Sequence, residues 1–144
     1  MEMLKNNHTH GFDIDAIYFS GNKWIVFEFL KCDHEYINPH TSSPNRYPWN
    51  WRKFHNLYQL SKRLEAELIL VNYSDRQHDK HLIKVMVVDR IDYDKLKSQF
   101  DKNMNVPRAA IDYIVFKKES DLTFDEFKKM FIDLNENAQL PEME

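Results

Sequence analysis

Two apolar segments near the start of the chain, residues 12–19 and 24–30, place the strongest constraint on its fold. Both have the length and the β-branched and aromatic content of strands, and the intervening Ser-Gly-Asn-Lys sequence is typical of a tight turn. The sequence therefore predicts an antiparallel hairpin. Glu28 is the only charged residue of the second segment, and a carboxylate inside a sheet is costly unless a cation compensates it. We therefore expect Glu28 to contact a basic side chain or a metal ion.

Strand-like and helical segments alternate along the rest of the chain. The predicted strands are 12–19, 24–30, 67–73, 82–89 and 110–117, and the predicted helices are 49–66, 92–100 and 124–134. Asp92 is predicted to cap the second helix, and Thr123 is predicted to form a capping box with Glu126 at the third. Because the strand at 67–73 follows a crossover helix, it should run parallel to the strand at 24–30. The order predicts an α/β fold with a single mixed β-sheet flanked by helices, as one domain over residues 1–144.

The composition excludes several classes of protein. With one cysteine, Cys32, the chain cannot form an internal disulfide, and with two glycines it lacks the glycine-rich loops of nucleotide-binding motifs. No apolar run approaches the roughly 18 residues of a membrane-spanning helix and the start is not secretory in type, so a cytoplasmic location away from membranes is expected. The formal net charge of −3 argues against a protein that coats DNA, but less against an enzyme that grips nucleic acid locally.

Acidic side chains on the hairpin are the candidate metal ligands. Asp13 and Asp15 are two residues apart, so both point to one face of a strand. They are interpreted either as exposed residues of an edge strand or, together with Glu28, as a site for a hard cation such as Mg²⁺. For Glu28 itself, the alternative is a plain ion pair with Lys31 or Arg52.

A stretch without acidic residues, 36–64, carries the candidate nucleic-acid contacts. Its proline-rich first part is predicted to be a long loop that leads into the helix. Arg46, Arg52 and Lys53 are interpreted either as a phosphate-binding surface or as the solvated face of a helix beside a polar loop. Trp49 fits two roles, stacking on a nucleobase or packing the loop onto the core.

An Asp on the first strand of a hairpin and a Glu with a nearby Lys on the second resemble the PD-(D/E)XK nuclease superfamily, over about residues 12–88. The resemblance implies a restriction-endonuclease-like core, a Mg²⁺ cofactor for which Mn²⁺ can substitute, and DNA as the substrate. It implies catalytic roles for Asp15, Glu28 and Lys31. It also implies metal ligation by Asp15, Glu28 and Asp13.

The lysine departs from the superfamily pattern. The usual spacing is Glu-x-Lys, whereas Glu28 and Lys31 are three residues apart, so strict alternation points them to opposite faces. Either a β-bulge re-aims Lys31, or Lys53 or Lys62 of the following helix takes its role. The first helix of the superfamily fold, which often adds an acidic residue, is also expected to be reduced, because residues 1–11 provide only a turn. Glu2 is the single acidic candidate there.

The expected function is that of a Mg²⁺-dependent DNA endonuclease or phosphodiesterase. The alternative is a catalytically inactive remnant of the nuclease fold that binds nucleic acid or protein. Also left open is a subunit that a homodimer or a different chain completes. In an active site Asp15, Glu28 and a lysine ammonium would converge within a few ångströms, whereas in a remnant they would diverge.

Overall fold

The computed structural model of the chain describes residues 13–32, 36–46, 48–98, 100 and 111–138, and within them five strands form one mixed sheet. The strands are β1 (Ala16–Ser20), β2 (Lys23–Lys31), β3 (Glu67–Tyr73), β4 (Leu82–Ile91) and β5 (Ile114–Thr123), and they lie in that order across the sheet. The helices are α1 (Trp51–Arg63), α2 (Tyr93–Ser98) and α3 (Phe124–Glu136). The predicted α/β fold, with a single mixed sheet and flanking helices, is therefore confirmed.

β1 and β2 form the predicted hairpin. Ser20 pairs with Lys23, and the two residues between them, Gly21 and Asn22, have φ values of 60° and 61°. Two successive residues with positive φ give the two-residue turn whose twist matches that of paired strands. The Gly-Asn sequence supplies the two residue types that adopt this backbone conformation at least cost.

β1 begins at Ala16, later than predicted, and the predicted start at residue 12 lies with Glu2 outside the described residues. Asp15 directly precedes the strand. Its Oδ2 accepts a hydrogen bond from the backbone N–H of Phe29 at 2.8 Å. The Asp15 side chain therefore accepts from a backbone N–H of β2 that lies beyond the end of β1 and so has no partner in that strand.

β3 lies beside β2 and runs parallel to it, as predicted, because α1 carries the chain back across the sheet. Leu70 of β3 is the neighbour of Glu28 in this pairing. β4 and β5 continue the sheet in antiparallel order. The carboxyl ends of β2 and β3 consequently meet at one edge of the sheet.

The end of β5 and the start of α1 differ from prediction, each for an identifiable reason. β5 runs on to Thr123 rather than ending at residue 117, because it stays paired with β4 as far as the Leu82–Thr123 pair. As an edge strand it tolerates exposed polar residues, so polarity does not mark its end. α1 begins at Trp51 rather than at residue 49, because Pro48–Asn50 form a 3₁₀ turn.

Both predicted helix caps are confirmed. Asp92 Oδ1 accepts from the backbone N–H of Lys95 at 3.1 Å, at the start of α2. Thr123 and Glu126 form the capping box of α3, in which each side chain accepts from the backbone N–H of the other residue.

Side chains alternate between the two faces of the sheet, and each face packs against different helices. The buried cluster between one face of the sheet and helices α1 and α2 consists of Val26, Phe54, Leu57, Leu68, Leu70, Met86, Val88, Ile91, Leu96, Tyr113 and Ile114. The buried residues of the face toward α3 are Phe27, Ile69, Val71, Ile83, Val85 and Val87. Glu28 lies two residues beyond Val26 on β2, so it faces α1 rather than α3.

Two buried asparagines fix the proline-rich loop onto the sheet. Asn72, at the end of β3, donates through Nδ2 to the backbone oxygens of Pro39 at 3.2 Å and Ser42 at 2.9 Å. Asn45, within the loop, exchanges two hydrogen bonds with the backbone of Ile114, at 3.1 and 2.9 Å. Since buried polar groups are costly without partners, these bonds define one position for the loop.

Replacement of Asn72 by alanine is expected to lower the free energy of unfolding by about 2 kcal/mol, because two buried carbonyls lose their donor. Urea denaturation of the purified variant measures this loss. The exposed turn residue Gln77, replaced by alanine, serves as the control and should change stability by less than about 0.5 kcal/mol. Equal unfolding midpoints for the two variants would show that other contacts hold the loop.

Candidate functional site

Glu28 is a carboxylate enclosed by the fold. Its residue surface is 3% exposed, and it lies on the face of β2 that packs against α1. Lys53, in the first turn of α1, forms an ion pair through Nζ with Glu28 Oε1. The second oxygen, Glu28 Oε2, is buried and has no hydrogen-bond partner within the part of the chain that the structure describes. One oxygen of this carboxylate is therefore compensated by a cation, and the other is enclosed without such compensation.

Asp15 lies next to Glu28. The β1–β2 register pairs Ala16 with Phe27, and Asp15, the residue before Ala16, is close enough to Glu28 to raise its pKa. The bond from the Phe29 N–H holds the Asp15 carboxylate at the strand end. Asp15 is exposed, whereas Glu28 is buried, so the pair spans the boundary between solvent and core.

The pKa of Glu28 records this environment. Burial raises its pKa above the ordinary value of 4.5, the Lys53 ammonium acts in the opposite direction, and the neighbouring Asp15 carboxylate raises it further. The net shift is upward. Two carboxylates and one ammonium therefore interact within a single site, in which desolvation is the largest influence.

Three lysines were candidates for this site, and the structure places them differently. Lys53 contacts Glu28. Lys31 forms an ion pair with Asp75 at 2.8 Å, and the Lys62 ammonium lies 5.4 Å from the centroid of the Tyr58 ring. The acidic pair is formed by Asp15 and Glu28. The amine that the fold brings to this pair is Lys53, from the helix that follows the hairpin. A catalytic role for Lys31 stays a prediction.

The other predicted site residues lie on the surface. Asp13 is exposed, and no group of three or more His, Cys, Asp or Glu side chains suited to a metal ion is found among the described residues. Arg46 is exposed at the end of a 3₁₀ turn. The Arg52 guanidinium stacks 5.4 Å above the Trp51 ring, so the ion pair of Glu28 is made with Lys53 and not with Arg52.

A pocket of about 320 Å³ includes Lys53, the partner of Glu28, in its wall, and the sequence did not predict this pocket as a unit. Its walls come from the ends of β2 and β3, the proline-rich loop and the start of α1. The lining residues are Phe29, Leu30, Lys31, Cys32, Ser42, Ser43, Pro44, Trp49, Asn50, Lys53, Phe54 and Asn72. The sequence signal for it was the acid-free stretch, which supplies seven of these residues, Ser42 through Phe54.

No protein-family model, curated protein or solved structure matches this chain. Among the described residues, no helix has both the length and the apolar character needed to cross a membrane.

Proposed function

We propose that this chain is a metal-dependent nuclease of the PD-(D/E)XK type that hydrolyses phosphodiester bonds in DNA. The observation that carries the proposal is the buried Glu28, with Asp15 alongside; Lys53 holds one of its oxygens, and the other has no hydrogen-bond partner among the described residues. A buried carboxylate oxygen without a donor is costly, and functional sites are where such costs are commonly retained.

The donor set fits Mg²⁺ or Mn²⁺. Both carboxylates are hard oxygen ligands, and Mg²⁺ is usually bound through one or two carboxylates while water and substrate phosphate complete its shell. Asp15 and Glu28 would hold the ion, and Asp13 is close enough in sequence to assist from the exposed side. When bound, the metal would polarise the phosphate and lower the pKa of a coordinated water.

The residues of the chain have separate tasks in this proposal. The Phe29 N–H orients Asp15, so this carboxylate is positioned before any ligand arrives. Lys53 favours the ionised form of Glu28, which is the form that binds a cation. The Lys53 side chain is also 38% exposed, so its ammonium can reach a phosphate oxygen and stabilise charge that develops there.

A catalytically inactive remnant that binds nucleic acid or protein is the second candidate. One observation favours it: Lys53 already neutralises Glu28, and a structural ion pair needs no metal. A subunit completed by another chain would supply the ligands that the described residues do not provide.

Titration calorimetry with Mg²⁺ and Mn²⁺, run beside a plasmid-nicking assay, separates the candidates. We expect binding of both ions in the millimolar range or tighter, and nicking that requires the added metal. Chelator should stop the reaction, and an excess of Mg²⁺ should restore it. If neither ion binds at millimolar concentration and plasmid stays intact, the remnant is the correct assignment.

A further inference from the structure

The pocket that Lys53 lines has two basic residues in its wall. These are Lys31 and Lys53, and no Asp or Glu is among its lining residues in the part of the chain that the structure describes. Lys31 forms an ion pair with Asp75 in which both side chains are exposed, and exposed ion pairs of this kind are weak. An anionic group entering the pocket would therefore find two cations at its wall.

The start of α1 adds to this preference. The first turn of the helix carries Arg52 and Lys53 and no acidic residue, and Asn50 makes no side-chain cap. Cations at a helix N-terminus are unfavourable on their own, because that end of the helix already has a partial positive charge. An anion bound in the pocket would offset this repulsion.

An aromatic ring borders the same pocket. Trp49 is 61% exposed, although it lies on a loop that is otherwise fixed by Asn45 and Asn72. An exposed indole next to a cationic wall is the combination that single-stranded nucleic acid uses, with a base stacked on the ring and phosphate beside the cations.

We propose that this pocket binds one unpaired nucleotide, with its base on Trp49 and its phosphate between Lys31 and Lys53. A volume of about 320 Å³ is at the small end of ligand pockets, which suits a single nucleotide and excludes a base pair. Ser42 and Ser43 supply hydroxyl groups in the wall. The assignment rests on the proposed function, because Lys53 lines this pocket and also forms the ion pair with Glu28.

Fluorescence anisotropy of a labelled single-stranded oligonucleotide, in chelator to prevent cleavage, tests the pocket. Trp49→Leu is expected to weaken binding roughly 5- to 150-fold, the range found for loss of one base–aromatic stack. Trp49→Phe keeps a ring and should retain most of the affinity. Tyr36→Leu removes a side chain that is 84% exposed and lies outside the pocket, so it should bind like the wild type.

Salt dependence and competition identify the ligand. Lys31→Ala should reduce the slope of log affinity against log salt by about 0.7, the value for one phosphate contact to a single strand. A deoxynucleoside monophosphate that displaces the oligonucleotide supports a free nucleotide as ligand. Failure of the monophosphate to compete supports a nucleotide within a strand.

The outcomes also separate this pocket from the nuclease proposal. If Trp49→Leu, Tyr36→Leu and wild-type protein bind the oligonucleotide equally, the nucleotide pocket is wrong, whether or not plasmid is cut. If binding depends on Trp49 while no metal-dependent cut is seen, the pocket stands and the nuclease proposal fails.

Discussion

Replacement of Glu28 by glutamine is expected to abolish metal binding and to reduce metal-dependent cleavage at least about 100-fold. The amide keeps the shape of the side chain but removes the charged oxygen that a hard cation prefers. Loss of a metal that supplies several kcal/mol of charge stabilisation corresponds to a rate loss of this size or larger. Calorimetry with Mg²⁺ and a plasmid-nicking assay measure the two effects on the same preparation.

The fold should survive this substitution, because a neutral Glu28 is already favoured by burial. Glu119→Gln is a matched control, since Glu119 is an exposed carboxylate paired with Lys84 on the opposite part of the sheet. It should bind metal and cut plasmid like the wild type. A Glu28→Gln protein that still bound Mg²⁺ with unchanged affinity would remove Glu28 from the metal site.

Replacement of Lys53 by methionine is expected to lower the free energy of unfolding by about 3 kcal/mol at neutral pH. The variant leaves the Glu28 carboxylate buried without its cation, a change that costs about 3–5 kcal/mol in fully buried pairs. The lower end of this energy range applies because the Lys53 side chain is partly exposed, so solvent screens its interaction with Glu28. Urea denaturation at several pH values measures the loss.

The pH dependence of this loss has a definite sign. In the folded protein the pKa of Glu28 is raised above 4.5, so the folded state holds this proton more tightly than the unfolded state does. Stability therefore falls as the pH rises from 4.5 toward the folded pKa. Without Lys53 that pKa rises further and the fall extends to higher pH, so the two proteins should differ little below pH 4.5 and most above it.

Two further variants complete this experiment. Lys62→Met, on the exposed side of the same helix, should cost less than about 1 kcal/mol. The double variant Glu28→Gln with Lys53→Met should recover most of the stability, because it leaves no buried charge. A pH-independent loss in Lys53→Met alone would mean that the lysine acts through its methylene packing rather than through Glu28.

The strands and helices follow closely from the sequence where the signal is local. β3 is continuous in apolar residues, and Thr123 with Glu126 is a local capping pattern, so both were predicted correctly. β5 was harder, because its exposed Lys-Lys-Glu run resembles a loop until its pairing with β4 is known. Its extent depends on the partner strand, which no local pattern reveals.

In the candidate site, too, some features follow from local sequence and others depend on distant parts of the chain. The burial of Glu28 and the neighbourhood of Asp15 follow from one lone charge in an apolar strand and a tight turn. Which of Lys31, Lys53 and Lys62 contacts Glu28 depends on where α1 lies over the sheet. The spacing of residues along β2 does not determine this position. The position of the loop beside the pocket depends on Asn45 and Asn72. Nothing in the sequence around these two asparagines predicts their hydrogen bonds, which form only when the loop contacts the sheet.

The bonds that hold the proline-rich loop have a consequence for the order of folding. Asn45 is joined to Ile114, 69 residues further along the chain, and Asn72 to Ser42, 30 residues earlier. Loop-closure cost rises with sequence separation, so we expect the Asn45–Ile114 contact to form later than the Asn72–Ser42 contact. The hairpin, α1 and β3 can bring Asp15, Glu28 and Lys53 together before β5 has docked. The second anchor of the loop forms only when β5 is in place, so we expect the acidic pair to form before the loop beside the pocket is fully anchored.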